Sequence, residues 1–182
     1  ESAIANSLVA DVMEFSEDDC YIEEGCLTGS GARELVRFTT HVKNIGDLDY
    51  YIGVPSLEGT NLFEWGDCHS HWHLSSWMEF ALFDEGSNSV VSGKGADFCT
   101  MDLECSGGGT AQYGCGNMGI SAGCGSIMGA GLSCQWIDVS DVADGTYFLV
   151  ARVNYELLPD ANGVTELSLE NNWAVVCIQL SR

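Results

Sequence analysis

The chain is 182 residues long and carries 6 basic against 27 acidic residues, a net charge of −21, with 9 cysteines, 22 glycines and only 2 prolines. So acidic a surface repels polyanions, which excludes nucleic acid as a partner and suits a basic protein or a small amine. No apolar stretch reaches the roughly 18 residues that cross a bilayer, which excludes a helical membrane span and a membrane partner.

A chain of this length is most simply one domain, residues 1–182, large enough to bury a core. Nine cysteines point to an oxidising compartment, secreted or otherwise extracytoplasmic. The odd count leaves one thiol over, and Cys177, far from the others along the chain, is the candidate. No Cys-x2-Cys knuckle occurs, which argues against a zinc ribbon. The start, Glu1-Ser2-Ala3, lacks a basic segment followed by an apolar one, so any signal peptide is expected to have been removed. The absence of an Asn-x-Ser/Thr sequon tilts towards a prokaryotic or unglycosylated source.

In chain order, Glu34 to Val42 alternates Leu35, Arg37, Thr39 and His41 against Val36, Phe38, Thr40 and Val42, the period of a half-buried strand. Asn44 to Asp47 then supplies a turn. Three of the four histidines fall in Asp67-Cys68-His69-Ser70-His71-Trp72-His73. On a strand, spacing i, i+2, i+4 puts all three imidazoles on one face. Three nitrogen donors suit copper or zinc far better than calcium or magnesium. A closed structural zinc site needs a fourth ligand, for which Asp67 and Glu79 are the nearby carboxylates, His41 lying on another strand with a solvated-face pattern.

Trp77 to Phe83, Ser89 to Val91, Thr146 to Val153 and Trp173 to Leu180 are further strand candidates, rich in aromatic and branched residues. Ser106 to Gly131 carries ten glycines, with Cys105, Cys115 and Cys124 in or beside it. Such a stretch is expected to be shaped by disulfides rather than by core burial, and it is a candidate wall of the metal site. Val139 to Val142 is expected to form a short turn of helix. Short strands separated by turn signals predict an all-β fold, a compact antiparallel sandwich-like domain with long disulfide-stapled loops.

Several motifs together resemble the catalytic domain of the lysyl oxidases, copper-dependent amine oxidases with prokaryotic relatives. They are Cys20-x5-Cys26-Leu27; Leu35-Val36-Arg37-Phe38 with Asn44-x-Gly46-x-x-Asp49-Tyr50; Cys68-His69-x-His71-x-His73; Phe98-Cys99-x5-Cys105; Tyr113-x-Cys115, Gly119-Ile120 and Gly123-Cys124; and Cys134-Gln135-Trp136-Ile137-Asp138-Val139-Ser140-Asp141-Val142. The likeness runs from about Cys20 to about Asn172. It implies His69, His71 and His73 as copper ligands, and the bridges Cys20–Cys68, Cys26–Cys134, Cys99–Cys115 and Cys105–Cys124. It also implies a calcium cluster at Glu166, Asn171 and Asn172, although Ser168 stands where a carboxylate is usual.

The resemblance breaks at the cofactor. Lysyl oxidases build a quinone from their own lysine and tyrosine, and the matching positions here are Gly95 and Met128. Lys94 is one residue early, and no tyrosine lies between Cys115 and Cys134, which leaves Tyr113 as the neighbouring phenol. The expectation is a secreted lysyl-oxidase-like copper protein without the lysine tyrosylquinone and without quinone-dependent amine oxidation, since that chemistry belongs to the cofactor. The alternatives are a copper-dependent oxidase acting on amines or on another substrate through the same centre, residual activity through another Lys–Tyr pairing, and a calcium- or zinc-stabilised adhesion domain.

Overall fold

The computed structural model describes residues 1–55, 62–95 and 99–182, nearly all of them strand, turn or loop. A four-residue helix α1 (Ser2–Ala5) leads into β1 (Val9–Phe15), and a second, α2 (Cys20–Glu23), precedes β2 (Gly31–Arg37), β3 (Thr40–Lys43) and β4 (Tyr50–Gly53). A hairpin of β5 (Phe63–Gly66) and β6 (His71–Leu74) follows, then β7 (Met78–Phe83) and β8 (Ser89–Lys94). The chain closes with β9 (Glu104–Cys105), β10 (Met118–Ile120), β11 (Cys124–Met128), β12 (Trp136–Asp138), β13 (Gly145–Val153) and β14 (Trp173–Leu180). Among the described residues the sheets run β14-β13-β7-β8, β1-β2-β12, β3-β11-β9, β10-β4 and β5-β6. The pairings are antiparallel, as expected of an all-β chain. No helix is long and apolar enough to cross a membrane.

Three expectations need correction. The strand expected over Glu34 to Val42 is two strands in different sheets, because the backbone changes partners midway. Phe38 N–H donates to the Gln135 carbonyl at 3.4 Å and Thr39 N–H to Ser7 Oγ at 2.7 Å. Beyond that break, β3 pairs with β11. The Gly-rich segment also contributes to the core: Met118 and Ile120 on β10 and Cys124 and Met128 on β11 are all buried. Val139 to Val142 is a turn closed by Val142 N–H on the Val139 carbonyl at 2.9 Å, not a turn of helix.

The core is built on β2, the central strand of its sheet, and on its neighbour β12, an edge strand whose three residues are all buried. Val36 and Ile137 enter the larger cluster with Phe38, Phe80, Leu82 and Leu149. Leu35 and Trp136 enter a second cluster with Phe15, Leu27 and the Cys26–Cys134 pair. All four bridges implied by the resemblance are formed, and Cys177 is free and exposed on β14. Phe98 of the Phe-Cys motif lies outside the described residues.

Candidate metal centre

The histidines sit on the β5–β6 hairpin, in a different arrangement from a single strand face. β6 begins at His71; His69 lies in the turn Asp67–Ser70 that joins the two strands. Ser70 adopts the left-handed region, φ 53°. The His69 and His71 rings are parallel within 2° at a centroid distance of 5.6 Å, and His71 and His73 lie 4.5 Å apart. The turn and the strand together gather the three imidazoles that strand alternation alone was expected to align.

Register supplies the space. Gly66 faces His71 across the hairpin and shares its face with His73. A Cβ at Gly66 would fall 2.5 Å from His73 Nε2, so the missing side chain is the seat of that ring. On the opposite face Phe63 and Leu74 pair and Leu74 is buried, which anchors the hairpin on the core.

The segment Cys20 to Cys26 closes over the histidines. Asp19 caps α2 by accepting from Tyr21 N–H at 3.2 Å, the usual role of an aspartate at this position. Gly25, at φ +78°, reverses the chain after it, a conformation that favours glycine. One disulfide ties Cys20 to Cys68, the residue before His69, and another ties Cys26 to Cys134. Between them Glu24 places Oε1 2.7 Å from His69 Nδ1 and 3.2 Å from His73 Nε2. Tyr21 lays its ring 5.1 Å from that of His69 and shares a 2.8 Å hydrogen bond with Ser133.

These contacts revise the expected neighbours. The carboxylate at the site is Glu24; Glu79 instead pairs with Arg152, and Asp67 lies exposed in the turn. Tyr21 is the phenol against the histidines, whereas Tyr113 stacks on Tyr51 and donates to Asp49 at 3.3 Å. Burial, then Asp49, pushes the Tyr113 hydroxyl pKa up. His41 is partly buried on β3, 3.6 Å from Glu104, and burial followed by Lys43 lowers its pKa. The sequence offers one signal for Glu24 and Tyr21: a bridge from Cys20 to Cys68 must lay the Cys20–Cys26 segment against the residue after Cys68.

The donor set fits a transition metal. Three imidazoles with a carboxylate beside them suit copper or zinc, and the space at Gly66 is used by the ring of His73. Glu24, Cys26 and Cys134 also approach one another, but both cysteines are consumed in their disulfide and offer no thiolate.

Gly95 and Met128, the positions that the resemblance matches to the quinone residues, stand in different surroundings. Gly95 is buried at the end of β8, its N–H donating to the Met78 carbonyl at 3.0 Å, and a Cβ there would meet Phe80 Cζ at 2.7 Å and Met78 Cγ at 2.8 Å. Lys94 is exposed, with Cγ 3.8 Å from the Cβ position of Gly25. Met128 is buried opposite Thr40 and contacts Ser126 Oγ at 3.5 Å. It also lines an apolar cavity of about 640 Å³ with Met101, Leu103, Ile127 and Leu132.

Of the expected calcium residues, Glu166 and Asn172 come together. Glu166 Oε1 accepts from Asn172 Nδ2 at 3.0 Å and from Asn154 Nδ2 at 2.6 Å. Asn171 is exposed and does not join them. Burial, then Glu166 and Asp160, drives the Tyr50 hydroxyl pKa far above its ordinary value.

Known proteins resemble the chain along most of its length. The family model described as Lysyl oxidase matches residues 2–181. Lysyl oxidase homolog 3A of Danio rerio is 35% identical over 147 residues, 74% of this chain and 19% of the relative. Lysyl oxidase homolog 2 of Xenopus tropicalis is 33% identical over 147 residues, with the same shares of each chain. Homolog 2 of Bos taurus is 33% identical over 152 residues, 76% of this chain and 19% of the relative. The chain thus spans about a fifth of the length of these relatives. With these matches and the four bridges of the fold, the chain belongs to the lysyl oxidase family.

Proposed function

We propose that this chain is a secreted copper-binding protein of the lysyl oxidase family, with the ion held by His69, His71 and His73, and that it does not carry out quinone-dependent amine oxidation. The observation that carries the metal reading is the gathering of three imidazole rings at successive distances of 5.6 and 4.5 Å. Lysyl oxidases are in general copper-dependent, which favours copper over zinc at such a set. Four disulfides fit an oxidising compartment, and secretion is inferred from that.

The chain's own groups do the holding. The hairpin and the Cys20–Cys68 bridge fix where the rings stand, and supported ligands keep a metal site from loosening. Tyr21 covers one side of His69 and His71 is exposed, so the centre is shielded on one side and open on another. Copper, when bound, supplies one-electron chemistry and activation of oxygen. The packing at Gly95 and Met128 supports leaving the quinone out. Calcium belongs to the proposal only at Glu166 and Asn172. A basic protein or a small amine is the partner class that a charge of −21 suits.

Titration of the metal-free protein with Cu(II) is expected to give sub-micromolar binding with nitrogen hyperfine structure in the electron paramagnetic resonance spectrum. H71A and H73A should each weaken it by about tenfold or more. Affinity weaker than micromolar in the unaltered protein would sink the proposal. The exposed His71 favours a second reading, a copper oxidase with an open coordination position. Oxygen uptake by the loaded protein with a reductant would separate it from binding alone.

A further inference from the structure

Glu24 reaches two of the three imidazoles with one oxygen atom, although its side chain is only 15% exposed. Withdrawing a carboxylate from water is costly, and the polar partner that meets it here is the His69 ring, with which it shares a hydrogen bond. Two atoms that each bind one transition-metal ion at about 2.0–2.2 Å lie about 2.9–3.4 Å apart over the usual range of bond angles. The spacings from Glu24 Oε1, 2.7 Å to His69 Nδ1 and 3.2 Å to His73 Nε2, straddle the short end of that range.

The carboxylate is held there from several sides. Cys20 and Cys26, on either side of it, are each bridged to a distant part of the chain. Trp136 Nε1 donates to the Cys26 carbonyl at 3.0 Å, and Lys94 N–H donates to the Gly25 carbonyl at 3.0 Å. A seven-residue segment, Cys20 to Cys26, pinned by two disulfides and two strands places one side chain with little freedom, which is what a ligand requires. Glu64, a carboxylate on β5, faces His73 in the register but is exposed, as is Asp67 in the turn.

We propose that Glu24 is a fourth protein ligand of the metal centre, beside His69, His71 and His73. The inference rests on the metal site of the proposed function and goes beyond it in assigning a charged ligand. Three neutral imidazoles leave a divalent ion its full charge. An added carboxylate cancels part of it, so the site holds Cu(II) more tightly relative to Cu(I) and its potential is lowered.

The test compares the unaltered protein with E24Q, E24D and E64Q, each prepared metal-free, titrated with Cu(II) and examined by electron paramagnetic resonance. E24Q keeps the shape and removes the charge; it is expected to weaken binding tenfold or more and to change the copper hyperfine pattern. E24D should do both to a lesser degree, because a carboxylate drawn back by one methylene cannot reach both nitrogens. E64Q should stay within about twofold of the unaltered protein. Coincident thermal melts of the metal-free proteins establish that the fold is intact. Unchanged affinity and spectrum in E24Q overturn the assignment of Glu24 while leaving the histidine site standing. If E24Q does not fold, unchanged values in E24D overturn it equally. Failure of the unaltered protein to bind Cu(II) overturns both readings.

Discussion

At Gly95 the space of a missing side chain is taken by its neighbours. The space a Cβ would take belongs to the Phe80 ring and Met78, which are among the most buried residues of the core. Restoring the family's lysine by G95K therefore overpacks the core, at a cost of about 1–3 kcal/mol. The expected outcome is a melting temperature lower by several degrees and a negative quinone stain on the copper-loaded, denatured protein. A positive stain would show that the core yields and that Gly95 alone had blocked the cofactor. The sequence displays the substitution but not its neighbours, because Met78 and Phe80 lie on β7 and reach Gly95 only through the pairing of β7 with β8. His69, His71 and His73 were legible because three rare residues stood together. Glu24 was less so, since its partners are 45 and 49 residues away and the one signal that leads to them is the Cys20–Cys68 bridge.

Among the elements, β2 and β12 are joined by more than their ladder. Asp138 on β12 accepts from Arg33 Nε at 2.9 Å, from Thr28 N–H at 2.9 Å and from Ser140 Oγ at 2.7 Å, and Arg33 also reaches Asp141. Burial works against ionisation of Asp138, but hydrogen bonds from Ser140, Thr28 and Arg33 hold its pKa below the ordinary value. A depressed carboxylate stabilises the fold above its unfolded pKa, about 3.9, and that contribution is lost as pH falls through the folded value. His41, lowered by burial and Lys43, sets an earlier window: its neutral form is preferred, so stability begins to fall below about pH 6.5. Melting curves from pH 8 to 3 are expected to decline in those two stages. D138A should cost about 3–5 kcal/mol at pH 7, because it removes the buried carboxylate shared by Arg33, Thr28 and Ser140 and leaves Arg33 only the exposed Asp141. A loss under 1 kcal/mol would mean that the ladder alone holds the strands. Strands β7, β13 and β14 were readable from their own residues, because each is a run of branched and aromatic side chains. The break between β2 and β3 was not: apolar alternation continues across it, and only the switch of partners from β12 to β11 reveals it.

For the whole molecule, 27 acidic against 6 basic residues make self-repulsion a general term. The few cations are nearly all engaged: Arg33, Arg37, Arg152 and Arg182 pair with carboxylates, and Lys43 stands 3.8 Å from Glu104. Most of the acidic surface is left to solvent and counterions. Raising salt from about 0.01 to 0.5 M shortens the screening length from about 30 Å to under 5 Å, and the melting temperature is expected to rise by several degrees. A melting temperature that falls would show that the few ion pairs outweigh the repulsion. All-β character was visible in the short strand-like runs and a disulfide framework in the cysteine count, whereas the order of the sheets depends on pairings between strands about a hundred residues apart, such as β2 with β12.

The two bridges that flank Glu24 also set a timetable. Cys68 follows Cys20 by 48 residues, and Cys134 follows Cys26 by 108, so the carboxylate and the histidine turn cannot meet until distant parts of the chain have been joined. Eight cysteines admit about a hundred pairings, and two of the four native bridges flank the residue nearest the imidazoles. In the proposed function, metal loading is therefore a late event in the life of the molecule. A chain still sorting its thiols offers an incoming ion loose histidines and competing sulfurs rather than a finished site.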